Sequence, residues 1–207
     1  MPIVTDIREN RGRVEVEADG VTFAKVRKAH FVKYPLETGE EIDPEAYVSR
    51  LAAAQFADGY EAALTSLDFS ARTAREIANS LRRKGYVEPC VEAVVARLTE
   101  NGLIDDARYA QRMAELQSAK PVGRYAFKRK LLAKGISDED AEEALSAFDD
   151  GQQQAAALEA ARKLCRKYAA LPAREARAKL SQALARRGFG WDAIESAVET
   201  VFEESGE

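Results

Sequence analysis

Residues 72–110, RTAREIANSLRRKGYVEPCVEAVVARLTENGLIDDARYA, decide the fold. They read as helix, tight stop, helix, tight stop and the opening of a third helix. Thr73 and Glu76 form a T-x-x-E capping box, in which each side chain can satisfy an orphan backbone N–H at the helix start. Ala74, Ile77, Ala78 and Leu81 then fall on one face at helical spacing. Gly85 follows Arg82-Arg83-Lys84, as expected where a helix ends in a left-handed residue with cations beside its negative end. Pro89 suits the first turn of the next helix, Val91, Val94, Val95 and Leu98 form its apolar stripe, and Gly102 stops it. Asp105 and Asp106 read as caps of the helix that carries Tyr109.

The unit recurs. Aligned on Gly85, Gly135 and Gly188, the chain repeats its chemistry at spacings of 50 and 53 residues. Eight residues before the glycine stand Ile77, Phe127 and Leu180, and four before it Leu81, Leu131 and Leu184. Lys84, Lys134 and Arg187 precede the glycine, and Tyr86, Ile136 and Phe189 follow it. Six, ten and thirteen residues on come Val91, Ala141 and Ile194; Val95, Leu145 and Val198; then Leu98, Phe148 and Val201. Spacing in this range signals a tandem array, so three helical units are expected.

These residues carry a resemblance. The pattern L-x-F-S-A-R-T-A-R-E-I-x-x-x-L-R-R-K-G-Y, then R-L-x-x-N-G-L-I-D-D-A-R-Y-A, then K-G-I and R-R-G-F, resembles the bacterial RecX family over roughly residues 45 to 204. Gly102 to Ala110 is its most specific part. The N-terminal region also resembles an extension found in some members. Ala74 and Arg75 depart from the more typical polar and acidic residues near the first cap, and Gly190-Trp191 opens the last helix unusually. The resemblance implies tandem three-helix repeats and a regulator of the RecA recombinase.

The expected fold is mainly α, with three tandem three-helix repeats in an elongated array and a small N-terminal three-stranded appendage. The divisions are 1–43, β-rich; 44–104, the first repeat with a lead-in helix; 105–150, the second; and 151–207, the third. In the N-terminal part Val14, Val16 and Ala18 alternate with polar residues, and Asp19-Gly20 signals a hairpin before Val21 and Phe23. Ile3 to Ile7 would add a third strand, and so small a sheet must lean on the helices. Asp43-Pro44 opens a helix through Phe56, and Asp58-Gly59 suggests a break or kink before a helix from Tyr60 to about Phe69. The later helices are expected at 106–119, 122–134, 138–148, 152–169, 173–187 and 191–204, with Pro121 and Pro172 at helix openings.

Composition narrows function. With 46% hydrophobic and 32% charged residues over 207 positions, the chain reads as globular. It shows neither a membrane-length apolar run nor an apolar signal core, so a cytoplasmic location without membrane contact is expected. Cys90 and Cys165 lack C-x-x-C spacing and read as buried free thiols. His30 is the single histidine, without a second ligand at metal spacing, and there is no Walker A sequence and no G-x-G-x-x-G. Asp105-Asp106 suits helix capping better than Mg²⁺ binding. The chain is therefore read as a non-enzyme with no cofactor and no metal.

The net charge of −4 argues against bulk attraction to nucleic acid, but charge is segregated. Residues 120–134 carry Lys120, Arg124, Lys128, Arg129, Lys130 and Lys134 with no acid, and residues 137–150 carry seven acids with no base. Arg72, Arg75, Arg82 and Arg83 fall within an arc of about 100°, opposite the apolar stripe of their helix. Arg124, Lys128 and Lys134 flank the Phe127/Leu131 stripe, and Lys179, Arg186 and Arg187 are the corresponding candidates in the third unit. Cations on the second helix of successive units suit phosphates or an acidic protein surface. Together with the resemblance, these ten residues point to a RecA-type filament on single-stranded DNA as partner, with direct contact to the strand included. The resemblance also implies modulation, by inhibition, of filament extension, ATPase and strand exchange. The alternative is a stand-alone DNA-binding helical module, since three-helix units can place a helix in the major groove.

Overall fold

The structure is a computed structural model that describes residues 1–118 and 122–204. Ala119, Lys120 and Pro121 lie outside the described residues, and with them the expected end of one helix and the proline opening of the next. Two compact units divide at Asp105/Asp106.

The first unit begins with β1 (Val4–Asn10), β2 (Arg13–Ala18) and β3 (Val21–Arg27), an antiparallel meander in that order. Asp19 and Gly20 have φ of 49° and 78°, as a primed two-residue turn needs. Arg11 and Gly12 repeat that geometry at 49° and 76°, a hairpin between β1 and β2. Alternation puts Val14, Val16 and Ala18 of β2 and Ala24 and Val26 of β3 on one buried face. That face shares a core with Tyr47 and Leu51 of α2 (Pro44–Phe69), Ile77 and Leu81 of α3 (Ala74–Lys84), and Val91, Val94 and Leu98 of α4 (Glu88–Glu100). A short helix, α1 (Lys28–Phe31), joins the sheet to the rest. The sheet thus leans on the helices, as its size demands.

The expected break at Asp58-Gly59 does not occur: α2 runs unbroken for 26 residues. Gly59 is there for packing. A Cβ on it would lie 3.3 Å from Cys90 Sγ and 3.4 Å from Val94 Cγ2, so its bare backbone lets α4 approach. The helix cost of glycine, roughly 1 kcal/mol relative to alanine, is offset by that close approach. The capping readings at Asp43 and at Thr73 and Glu76 hold. Asp43 Oδ1 accepts from Glu45 and Ala46 N–H at 3.0 and 3.1 Å, and Thr73 and Glu76 form the reciprocal box.

The second unit contains α5 (Asp106–Ser118), α6 (Arg124–Ala133), α7 (Asp138–Leu145), α8 (Asp150–Cys165), α9 (Ala173–Arg186) and α10 (Trp191–Glu204). Helix α6 starts two residues later than expected, with Gly123 as its N-cap, and α7 and α8 stop earlier, in short turns. Ser137 and Asp149 cap α7 and α8 by accepting from Asp140 and Gln152 N–H. The aligned repeat positions are core almost throughout: of the eighteen apolar positions at the six offsets, only Val95 is less than fully buried. Gly85, Gly135 and Gly188 have φ of 84°, 95° and 82°, left-handed as the helix-stop reading requires. Cys90 is buried, and burial pushes its thiol up to about 11. Cys165 departs from expectation in being only half-buried.

Candidate functional site

The three glycine-ended turns close the second helix of each repeat, where the last carbonyls of a helix lack partners. In the first unit the sheet supplies them. Arg27 Nε donates to the Lys84 carbonyl and Arg13 Nη2 to that of Arg83, so two cations sit at the negative end of α3. The Arg27 guanidinium also lies 5.4 Å from the Tyr86 ring centroid. In the second unit the start of α6 does the same for α9. Gly123 N–H donates to the Arg187 carbonyl at 3.2 Å, and Tyr125 N–H to that of Gly188 at 3.0 Å. Arg129 Nη2 reaches the Arg186 carbonyl at 3.4 Å. The negative end of one helix therefore meets the positive end of another, which stabilises both.

The basic residues singled out from the sequence fall into two groups. Some are neutralised locally. Arg82 makes a two-pronged pair with Glu88, which holds the guanidinium above and the carboxyl below their ordinary values through hydrogen bonding. Lys128 is held between Asp138, at 2.8 Å, and Glu142, and those hydrogen bonds raise its pKa. Arg124 pairs with Asp150 at 2.9 Å, and Lys179 with Glu175 at 2.7 Å. Lys134 lies over the Tyr109 ring, 5.4 Å from its centroid. Arg75 shares with Arg82 a shallow groove along Ala78, Val91 and Val95, between α3 and α4.

Arg72, Arg83, Arg186 and Arg187 are exposed and make no ion pair among the described residues. Arg129 belongs with them, although its helical direction sets it apart from the Phe127/Leu131 flank. In the second unit α6 and α9 thus bring Arg129, Arg186 and Arg187 to one junction, while Lys128 is drawn away toward α7. Sequence spacing had no signal for this junction, because its partners lie 57 and more residues apart.

No group of three or more His, Cys, Asp and Glu capable of holding a metal occurs among the described residues, and none of their helices is long and apolar enough to cross a membrane. His30 is buried at 6% exposure, with Nε2 3.5 Å from Asp58 Oδ2, and Asp58 accepts the Tyr86 hydroxyl at 2.5 Å. This polar cluster ties α1 to α2 and to the turn after α3.

The repeat frame also matches known proteins. Residues 60–98 match the RecX first three-helix domain, 105–145 the second and 150–198 the third. The chain belongs to the RecX family. Regulatory protein RecX of Leuconostoc mesenteroides is 30% identical over 96% of this chain and 75% of its own length. That of Bacillus subtilis is 27% identical over 100% of this chain and 80% of its own. A crystal structure of regulatory protein RecX superposes with a TM-score of 0.66 at 27% identity, covering 94% of this chain and 98% of the other. The RecX structure from Lactobacillus salivarius gives 0.63 at 30% identity, covering 72% and 97%. Within RecX-family architecture, the three glycine turns described above close the second helix of each three-helix domain.

Proposed function

We propose that this chain binds a RecA-type recombinase filament on single-stranded DNA in the cytoplasm, and limits filament extension, ATPase and strand exchange without chemistry of its own. The observation that carries this reading is the presence of all three RecX three-helix domains in order along one chain. A repeating target is matched by a repeating surface, and tandem domains provide one. The ten basic candidates do not contribute equally. Arg72, Arg83, Arg186 and Arg187 keep their charge available for phosphates or partner carboxylates, whereas Arg82, Arg124, Lys128 and Lys179 are already paired.

Recombinase ATPase and filament length on single-stranded DNA, with and without the chain, test the proposal. A fall in both is expected, and no change in either, using the recombinase of the same organism, would defeat it. The stand-alone DNA-binding reading gives the opposite pattern in a salt titration. Affinity for bare DNA would then equal that for recombinase-coated DNA.

A further inference from the structure

Tyr125 and Trp191 are large aromatic side chains left 51% and 67% exposed. Among the described residues of the second unit, Leu116 is the only other large apolar side chain so exposed. Both aromatics line one groove, with Arg124, Asp150 and Gln154 along its polar wall. Gly190 forms the seam between them. A Cβ there would lie 3.6 Å from Tyr125 Cε2, an ordinary contact distance, so the Tyr125 ring stands beside Gly190, and Trp191 is the next residue. The turn through Gly188 and Phe189 links this groove to Arg186 and Arg187, and Tyr125 N–H is bonded to the Gly188 carbonyl. Arg129 reaches the same turn from α6.

We infer that the Tyr125–Trp191 groove is a stacking site for unpaired bases of a single-stranded nucleic acid, with Arg129, Arg186 and Arg187 as its phosphate partners. The inference rests on the filament-binding reading for its setting and adds the surface that meets the strand. Two exposed rings lining one groove make a contiguous apolar surface rather than scattered exposure, and a base offers a flat π-face to cover it whatever its sequence. Charge selects the occupant. The groove's own acids are Asp192 and Asp150, the latter paired with Arg124. Outside it, Arg129 stands one helical turn from Tyr125 on α6, and Arg186 and Arg187 close α9 before the turn that leads to Trp191. None of these three makes an ion pair among the described residues, which suits a strand that stacks in the groove and runs its phosphates past its edge. An apolar peptide would find no aliphatic side chain larger than Ala193 along the lining.

Trp191 is the only tryptophan in the chain, so tryptophan emission, excited selectively over the seven tyrosines, reports on this site alone. A short oligothymidylate added to the full-length protein at low salt should quench it, and added salt should reverse the quench. An abasic strand of equal length, with the same phosphates and no bases, should leave the emission unchanged. Trp191→Ala and Tyr125→Ala, followed by anisotropy of a labelled oligonucleotide, should each bind roughly tenfold more weakly, the scale of a single base–aromatic stack. Trp191→Phe should recover part of the loss, and Leu116→Ala should bind as wild type. Each variant is compared only after its melting curve matches the wild type. Saturable binding without a quench, an equal quench by the abasic strand, or wild-type affinity in both aromatic variants would overturn the site. Because no recombinase is present, a base-dependent quench from a chain that leaves recombinase ATPase unchanged would retain the site and reject the filament reading.

Discussion

The backbone of Gly123 lies directly against that of Gly188, so that a Cβ on either would overlap the other's neighbourhood. Gly188 has φ of +82° and is left-handed, whereas Gly123, at −68°, could host any residue by conformation alone. The two glycines are therefore required for different reasons. Gly188 needs both the dihedral and the space, and Gly123 needs only the space.

Alanine separates these demands. Gly102→Ala, with φ of +67° and nothing within 4 Å of its Cβ, should cost roughly 1 kcal/mol from the left-handed backbone alone. Gly123→Ala should cost about 1–3 kcal/mol despite its ordinary φ, because an added methyl meets backbone that cannot yield cheaply. Gly188→Ala should exceed both. Urea unfolding of the three variants checks the order, and a neutral Gly123→Ala would show that the junction between α6 and α9 is not close-packed.

The arginine cap on α3 makes a second prediction. Arg27→Ala removes a charged donor from the Lys84 carbonyl and a cation from the face of Tyr86, and should destabilise the protein by about 1.5–3 kcal/mol. Arg13→Ala, whose bond to the Arg83 carbonyl is exposed to water, should cost less. Denaturant midpoints compare the two directly.

His30 gives the stability a pH dependence of known sign. Burial lowers its folded pKa below the ordinary 6.5, with Arg27 and Lys33 acting in the same direction and Asp58 opposing. The unfolded chain therefore takes up the proton first as pH falls. Stability contributed by neutral His30 is full above about pH 6.5 and is lost as pH drops from there through the folded pKa. His30→Gln should flatten the melting temperature across that window, and an unchanged slope would remove His30 from the cause.

Charge reversal should distinguish available cations from neutralised ones. Arg186→Glu with Arg187→Glu should lower the salt dependence of single-strand binding by roughly 1.4 in slope, about 0.7 for each phosphate no longer neutralised. Lys128→Glu, already compensated by Asp138 and Glu142, should change that slope little. Affinity at several salt concentrations reads both.

What could be read from the chain alone is what helices encode locally. The capping box at Thr73 and Glu76, the left-handed stops at Gly85, Gly135 and Gly188, and the buried stripes of the repeat all depend on residues within one or two helical turns of each other. The same reading placed Asp19-Gly20 in a turn and Asp43 at a cap. Tertiary structure alone decided matters that join distant residues. Gly59 looked like a breaker, and only the approach of Cys90 and Val94 turns it into a packing residue within an unbroken helix. Lys128 and Arg82 looked like surface charges equal to Arg186 and Arg187, until the folded chain set Glu142 and Glu88 beside them. Helical periodicity says which way a side chain points from its own axis. Which carboxylate, carbonyl or ring waits there is set by helices packed against it from elsewhere in the chain, as when α6 brings Arg129 to the Arg186 carbonyl and Tyr125 into one groove with Trp191.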